Sequence, residues 1–193
     1  MKKVYQQLNL KRHKPVFIKL IGGKFELHTH PELSIKVEAE DTFDGNILPI
    51  IDDRGNSIEI GKQYIPGLLN SSREIPIKIF VPDESTVDFS LMAGQISIAG
   101  SYDHLRSSLT FGRIYIKVDD IALINSADLE VSAGDVKITA EDKTLIKQRS
   151  GGSNYQLLQL NPAGKILAHT TLGDVKVESP YRSYNFKATE TMQ

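Results

Sequence analysis

One phrase of alternating apolar and polar residues constrains the fold of this chain more than any other feature. It runs from Ser126 to Glu141, and its apolar residues fall at odd numbers before Gly134 and at even numbers after it. Alternation with a period of two is typical of a β-strand with one buried face. A change of parity keeps the same face inward only if the backbone bends or bulges at the glycine. The phrase therefore predicts two strand segments joined at a glycine corner.

The same phrase recurs elsewhere in the chain. Around Gly134, apolar residues lie five, three and one positions before the glycine and two, four and six positions after it, and most of these positions are apolar around the other glycines as well. Ser107 is the one polar residue at an inward position around Gly112, and the copy at Gly23 is fainter because Gly22 precedes the corner. The predicted corner glycines are Gly23, Gly94, Gly112, Gly134 and Gly173. One copy cannot bury its apolar face alone, so neighbouring copies must stack.

Stacked copies predict an all-β fold, specifically a single-stranded β-solenoid or β-roll of about five coils. From Gly94 onward, successive corner glycines lie 18, 22 and 39 residues apart, and the last spacing is close to two coils. An antiparallel sandwich is the alternative, because turns every 8 to 12 residues or so are also typical of sandwiches. The fixed offset of the parity change favours the solenoid, since hairpin loops would vary in length and type.

A single solenoid-like domain is predicted over residues 1–193, with insertions at about 41–74 and 141–165. In the first insertion a short strand over 47–51 leads through a turn at 52–56 into a strand over 57–60, and a loop follows. In the second, a glycine- and serine-rich turn at 150–154 predicts a hairpin that projects from the stack. The polar segments at both ends of the chain are expected to cap the stack.

Composition excludes several classes of function. A formal charge of −1 in 193 residues leaves no electrostatic footprint for nucleic acid or an anionic membrane. The absence of cysteine excludes disulfides and thiolate chemistry. No stretch approaches the roughly 18 apolar residues of a membrane span, and the start lacks the apolar core of an export signal. We therefore expect a cytoplasmic protein as the sequence is written, with surface association if it is a trimmed part of an exported chain.

Four phrases carry a resemblance to a known family: I-P-I-K-I-F-V-P-D, F-S-L-M-A-G-Q-I-S-I, L-E-V-S-A-G-D-V-K-I and T-T-L-G-D-V-K-V. They resemble the repeats of a bacterial family of unknown function called putative adhesins, in which S-x-G-D-[IV] joins two strands. The resemblance covers roughly 75–178, with a weaker echo at 16–40. It departs from the family pattern at Gln95 and Arg113, which stand in place of aspartate. It implies a β-helix-like domain, often surface-associated, with no established catalytic residues.

His28 and His30 are the first candidates for chemistry, because an H-x-H pair on a strand places both imidazoles on one face and could supply half of a metal site. Counted from Gly23 both fall on outward positions, and with no third ligand nearby a solvated face is favoured. The aspartates and asparagines between Asp41 and Asn56 could offer oxygens to calcium, but such residues are common in turns. The sequence therefore predicts no metal and no cofactor.

Asp135 and Asp174 each follow a corner glycine and could form an outward acidic row. Paired carboxylates serve glycoside hydrolysis, and some solenoids cleave polysaccharides. Gln95 and Arg113 interrupt the row, and catalytic acids need a cleft rather than a convex corner. No catalytic residue is therefore assigned, and no enzymatic activity is predicted.

Five tyrosines could line a carbohydrate-binding face, although packing at the coil edges is the favoured role. They are Tyr102, Tyr115, Tyr155, Tyr181 and Tyr184. Tyr115 lies three positions after Gly112, which points its ring outward and makes sugar stacking feasible.

These observations predict a non-catalytic, adhesin-like interaction module whose partner is an envelope component, a glycan, another protein or a second copy of the chain. Two alternatives stay open, a self-assembling β-solenoid scaffold and a polysaccharide-acting enzyme. Lysines and prolines near both ends resemble edge protection, which weakens the scaffold hypothesis; they are Lys2, Lys3, Lys14, Pro15 and Pro180. The residues assigned to a binding surface are Tyr115, Asp135, Asp174, His28 and His30.

Overall fold

A computed structural model describes residues 3–40, 49–61, 76–118, 124–140, 144–148, 154–160, 163–178 and 183–187. These residues form strands of one mixed sheet and no helix, so the predicted all-β class is confirmed. The described residues accordingly contain no helix long and apolar enough to cross a membrane. The strands are β1 (Lys3–Asn9), β2 (Val16–His30), β3 (Ser34–Glu40), β4 (Ile50–Asp53), β5 (Ile58–Gly61), β6 (Ile77–Pro82), β7 (Ser85–Ala99), β8 (Tyr102–Val118), β9 (Ile124–Ala140), β10 (Thr144–Gln148), β11 (Asn154–Leu160), β12 (Ala163–Leu172), β13 (Asp174–Glu178) and β14 (Ser183–Lys187).

The centre of the sheet is a stack of four long parallel strands, in the order β2, β7, β8 and β9. Only Gly100 and Ser101 separate β7 from β8, although a parallel pair ordinarily needs a crossover of a dozen or more residues. Because Ser85 lies opposite Tyr102, the 15-residue strand β7 ends close to where it began. A straight strand of that length would span about 50 Å. The strand itself therefore bends and supplies the crossover.

Shorter strands pair with the two outermost strands of this stack. On one side β2 pairs with β5 along its first half and with β6 along its second half. On the other side β9 pairs in the same divided way with β12 and β13. Antiparallel strands then flank these four: β4 on β5, β3 and β1 on β6, β11 and β10 on β12, and β14 on β13. The parallel centre is thus capped at both ends by antiparallel strands.

Two predicted hairpins fall partly within the described residues. The strands β4 and β5 pair antiparallel around a turn in which the amide of Arg54 donates to the carbonyl of Ser57 at 2.9 Å. The strands β10 and β11 also pair antiparallel, but β11 pairs in turn with β12. This second hairpin therefore extends the sheet instead of projecting from it. Predicted features at 41–48, 62–74, 150–153, 179–182 and 188–193 lie outside the described residues.

The core is built from the positions that the alternation predicts to face inward. Around Gly94 these are Phe89, Leu91, Ile96 and Ile98, all at most 2% exposed. Burial therefore changes from odd to even numbers across the glycine, as the sequence predicts. Each buried aliphatic side chain stabilises the folded state by roughly 1.5 to 3 kcal/mol relative to an exposed one.

The position just before each glycine was predicted to face inward, and that prediction is wrong. Phe111 is 58% exposed and Leu172 is 57% exposed. Ala93 and Ala133 at the same position are half-buried. The reason is the bend itself, which turns this position away from the core before the buried face resumes two residues after the glycine.

A ladder of stacked glycines lies at the bend. Gly23, Gly94, Gly112 and Gly134 are direct partners in successive strands, and Gly173 lies next to Gly134. All five have φ between 132° and 143°, a region that side-chain-bearing residues rarely adopt. A Cβ on any of the last four would collide with the carbonyl oxygen of the preceding glycine. The ladder therefore requires glycine for both conformation and space.

Gly112→Ala should destabilise the protein by about 3 kcal/mol or more, because backbone strain adds to the steric collision. Gly22→Ala is the matched control, since a Cβ there meets the carbonyl oxygen of Ala93 at an ordinary 3.5 Å. Urea unfolding followed by circular dichroism would measure both. Equal stability of the two variants would contradict the stacked ladder.

Ser107→Ala should leave stability unchanged or raise it. Ser107 is fully buried between Phe89 and Leu129 in register, and its hydroxyl has no hydrogen-bond partner among the described residues. A buried hydroxyl without a partner costs about 1 to 3 kcal/mol, which alanine would remove. Thermal unfolding gives the comparison, with Ser108→Ala as the control at a half-buried position. A loss of more than about 1 kcal/mol would show an unrecognised partner for Ser107.

Tyr102 is buried at the start of β8, where its hydroxyl lies 3.0 Å from the carbonyl oxygen of Ala99 and 3.3 Å from that of Leu27. The phenol donates its proton to these oxygens and so joins two neighbouring strands. Burial, with a smaller contribution from Asp83, raises the pKa of Tyr102 well above its usual value. The folded protein therefore holds this phenol neutral.

Tyr102→Phe should lower the free energy of unfolding by about 1 kcal/mol at pH 7. It should also make the free energy of unfolding fall less steeply as the pH rises above neutrality. A raised folded-state pKa gives stability that is complete below the unfolded pKa of about 10 and is lost as pH rises above it. Urea unfolding at pH 7 and pH 11 would compare the slopes, with Tyr115→Phe as control. The prediction fails if the wild type and Tyr102→Phe lose stability equally with pH.

Candidate binding surfaces

An open groove lies between β2 and the hairpin of β4 and β5. Its volume is about 370 Å³. Phe17 and Ile50 supply its apolar part, at 38% and 47% exposed. The lining residues are Phe17, Lys19, Ile50, Asp52, Arg54, Glu59, Ile60 and Gly61. Because Phe17 and Lys19 alternate with buried residues of β2, both side chains face outward.

The hairpin beside this groove is held by local contacts of Asp53. Its carboxylate accepts from the amide of Gly55 at 2.8 Å, and Gly55 has a φ of 84° that suits a tight turn. The Lys14 ammonium lies 2.7 Å from the same carboxylate and ties the hairpin to the residues before β2. The hydrogen bond from Lys14, followed by that from Gly55, holds the pKa of Asp53 below its usual value.

Arg54 organises the charges at the rim of the groove. Its guanidinium lies 2.9 Å from the carboxylate of Asp52 and 3.2 Å from that of Glu59. The two acids are direct partners across β4 and β5, so the arginine bridges both strands. The groove thus combines an exposed aromatic ring with several hydrogen-bonding groups, a combination that suits a polar ligand with an apolar face.

Of the two acids predicted to form an outward row, Asp135 has a partner at each carboxylate oxygen. Asp135 lies opposite Arg113, with 3.5 Å between a carboxylate oxygen and Nε. The other carboxylate oxygen of Asp135 accepts from the amide of Asp174 at 3.1 Å. The row after the glycines therefore carries an ion pair and a hydrogen bond between strands.

Tyr115 is half-buried in the same region and is paired with Arg113. The hydrogen bond that the Arg113 guanidinium donates to the Tyr115 oxygen, followed by the charges of Tyr115 and Asp135, raises the pKa of Arg113. The sugar-binding role considered for Tyr102 is excluded by its burial. Tyr181 lies outside the described residues, as do the side chains of the other two tyrosines.

His28 and His30 flank one aromatic ring, that of Phe80. The His28 ring stacks on it with centroids 5.4 Å apart, and the His30 ring meets its edge at 6.2 Å. His28 also lies 3.3 Å from Glu26, and Nε2 of His30 lies 2.8 Å from the carbonyl oxygen of Ser34. The imidazole of His30 is only 13% exposed, so the predicted solvated face is wrong at this residue. Contacts with β6 and with the start of β3 are the reason.

No three His, Asp or Glu side chains form a group suited to a metal ion within the part of the chain that the structure describes. The two histidines considered as half of a metal site lie beside Glu26 and the carbonyl oxygen of Ser34.

Sequence reasoning missed the exposed apolar residues near the glycine ladder, which are Met92, Phe111 and Leu172. One signal was available. The residues before the glycines range in size from Gly22 to Phe111. The truly buried residues two positions after the glycines are all large or branched, namely Phe25, Ile96, Ile114, Val136 and Val175. A column whose residues vary that much in size is unsuited to a close-packed core.

No family model matches the sequence, and no curated protein matches it significantly. Among solved structures, a putative cell adhesion protein from Clostridium sporogenes matches with a TM-score of 0.59 at 9% identity, over 92% of this chain and 99% of that one. A putative lipid binding protein from Parabacteroides distasonis matches with a TM-score of 0.33 at 13% identity, over 72% and 67%. The likeness to the cell adhesion protein shows a shared fold alone.

Proposed function

We propose that this chain is a non-catalytic, adhesin-like interaction module, built as a single-stranded β-solenoid of about five coils over residues 1–193. In this proposal each long strand wraps once around the core, the glycine ladder marks one corner, and the regions at about 41–74 and 141–165 are insertions. The in-register parallel pairing and the two-residue connection between β7 and β8 support it. The fold shared with a putative cell adhesion protein is in keeping with it.

The groove between β2 and the first insertion is the proposed ligand site, and a glycan is the proposed ligand. The observation that carries this assignment is the exposed Phe17 ring among the charged side chains of Lys19, Asp52, Arg54 and Glu59. A sugar ring presents an apolar C–H face that can lie on an aromatic ring, and its hydroxyls can both donate and accept. A volume of about 370 Å³ lies within the usual range of ligand sites, about 300 to 1,000 Å³.

A glycan array probed with the full chain tests the assignment. Phe17→Ser should weaken binding at least about tenfold, because the stacking surface is lost. Ile50→Ala should weaken it less, since Ile50 is apolar but has no flat ring. Met92→Ser is the control, because Met92 is an exposed apolar residue outside the groove. Glycan binding that Phe17→Ser leaves unchanged, in protein shown to be folded by circular dichroism, would refute the site.

A self-assembling scaffold is the second candidate, favoured by the ends of the sheet. Among the described residues β1 pairs only with β3, and β10 pairs only with β11. Unpaired strand edges can add to each other and make an open polymer. Light scattering and negative-stain microscopy across a concentration series separate the two functions, because a scaffold grows into rods and a binding module does not.

A polysaccharide-acting enzyme has less support. The carboxylate of Asp135 is engaged by Arg113 and by the amide of Asp174, and Asp135 does not line the groove. Release of reducing ends from the glycans that bind would establish such an activity. Stable binding without any release of reducing ends would count against it.

A further inference from the structure

A ridge along the glycine ladder carries two rows of outward-facing side chains and is called here the corner ridge. The row before the glycines consists of Ala93, Phe111, Ala133 and Leu172, which are partners in successive strands. The row after the glycines consists of Gln95, Arg113, Asp135 and Asp174. The first row alternates small and large residues, and its two large members are more than half exposed. Large exposed apolar side chains close together mark an interaction site.

We infer that the corner ridge binds a second copy of this chain through a twofold axis. The axis lies parallel to the strands and passes between β8 and β9. Such an axis reverses the order of the strands in the second copy but leaves each row facing its own counterpart. Phe111 then lies opposite Ala133 of the second copy, and Leu172 lies opposite Ala93 of the second copy. Each large side chain meets a small one, and the twofold repeats both contacts.

Charge supports the same arrangement independently. In the second row the axis places Arg113 opposite Asp135 of the second copy, and Gln95 opposite Asp174 of the second copy. Within one chain Arg113 and Asp135 are already 3.5 Å apart, so two chains would form an alternating cluster of two arginines and two aspartates. Both side chains are accessible, at 62% and 32% exposed. Opposite charges at matching positions favour one register over others.

Other positions of the twofold axis along the stack give poorer pairings of side chains. An axis through β8 would place Arg113 opposite itself, and an axis through β9 would do the same to Asp135. An axis between β7 and β8 would leave Leu172 without a counterpart. Only the axis between β8 and β9 pairs both large side chains with alanines and avoids opposing like charges, so the occupant and its register follow from the same residues.

The ridge is small. Four strands about 4.8 Å apart give a contact roughly 20 Å long and only two rows of side chains wide. Its area is therefore well below the roughly 800 Å² that each partner buries in a typical stable interface. The dimer is therefore a weak one, and it is closed, because a twofold contact uses the same surface on both copies. The inference depends on strand register and is independent of the proposed glycan.

Reversal of single charges provides the test. Arg113→Asp places Asp opposite Asp, and Asp135→Arg places Arg opposite Arg, so each variant alone should associate at least about tenfold more weakly than the wild type. In an equimolar mixture of the two variants every opposed pair is again of opposite sign. Sedimentation velocity across a concentration series should therefore show association restored in the mixture. Thermal unfolding checks that each variant remains folded.

Phe111→Ser should abolish association, while Ile50→Ser, at a similarly exposed apolar position in the groove, should leave it unchanged. Three outcomes would overturn the inference: a wild type that stays monomeric at millimolar concentration, a mixture that associates no better than the single variants, or growth into polymers that Phe111→Ser does not affect. Failure of the dimer would leave glycan binding by the groove unaffected, so the two proposals stand or fall separately.

Discussion

The close approach of successive glycine backbones is the constraint on which the rest of the structure depends. At each ladder glycine from Gly94 to Gly173, the carbonyl oxygen of the preceding ladder glycine occupies the space that a Cβ would need. This contact fixes which residue lies beside which in the parallel strands, and a slip of one residue would move every apolar side chain to the outer face. Register, and with it the single core, therefore follows from positions that carry no side chain.

Fixed register also determines what the surface can present. Because each outward position repeats from strand to strand, outward side chains form continuous rows, such as the one that brings Arg113 beside Asp135. The inward rows must remain apolar, whereas the outward rows are free to vary. Specific binding in this protein is therefore expected to come from combinations of residues distant in sequence, aligned by the ladder.

More of the fold than of the candidate sites could be predicted from the sequence. Alternation and glycine spacing are local signals, and they correctly predicted the buried positions around Gly94. The exposure of Phe111 depends on how the bend turns the backbone, which alternation alone does not encode. The groove depends on β5 pairing with the start of β2, so that Ile50 and Phe17 line one space. That pairing joins segments far apart in the chain, and no local pattern specifies it.

The two proposed surfaces use different parts of the same stack, and this has a consequence for binding. The groove lies at β2, on one side of the stack, and the corner ridge is centred between β8 and β9, toward the other side. A twofold axis at the ridge reverses the strand order, so it would carry the two grooves to opposite ends of the pair. Two separated sites on one closed dimer can bind a repeating polymer at two points, which raises the apparent affinity without any new contact. Such a dimer would hold a polymeric glycan more firmly than one groove alone.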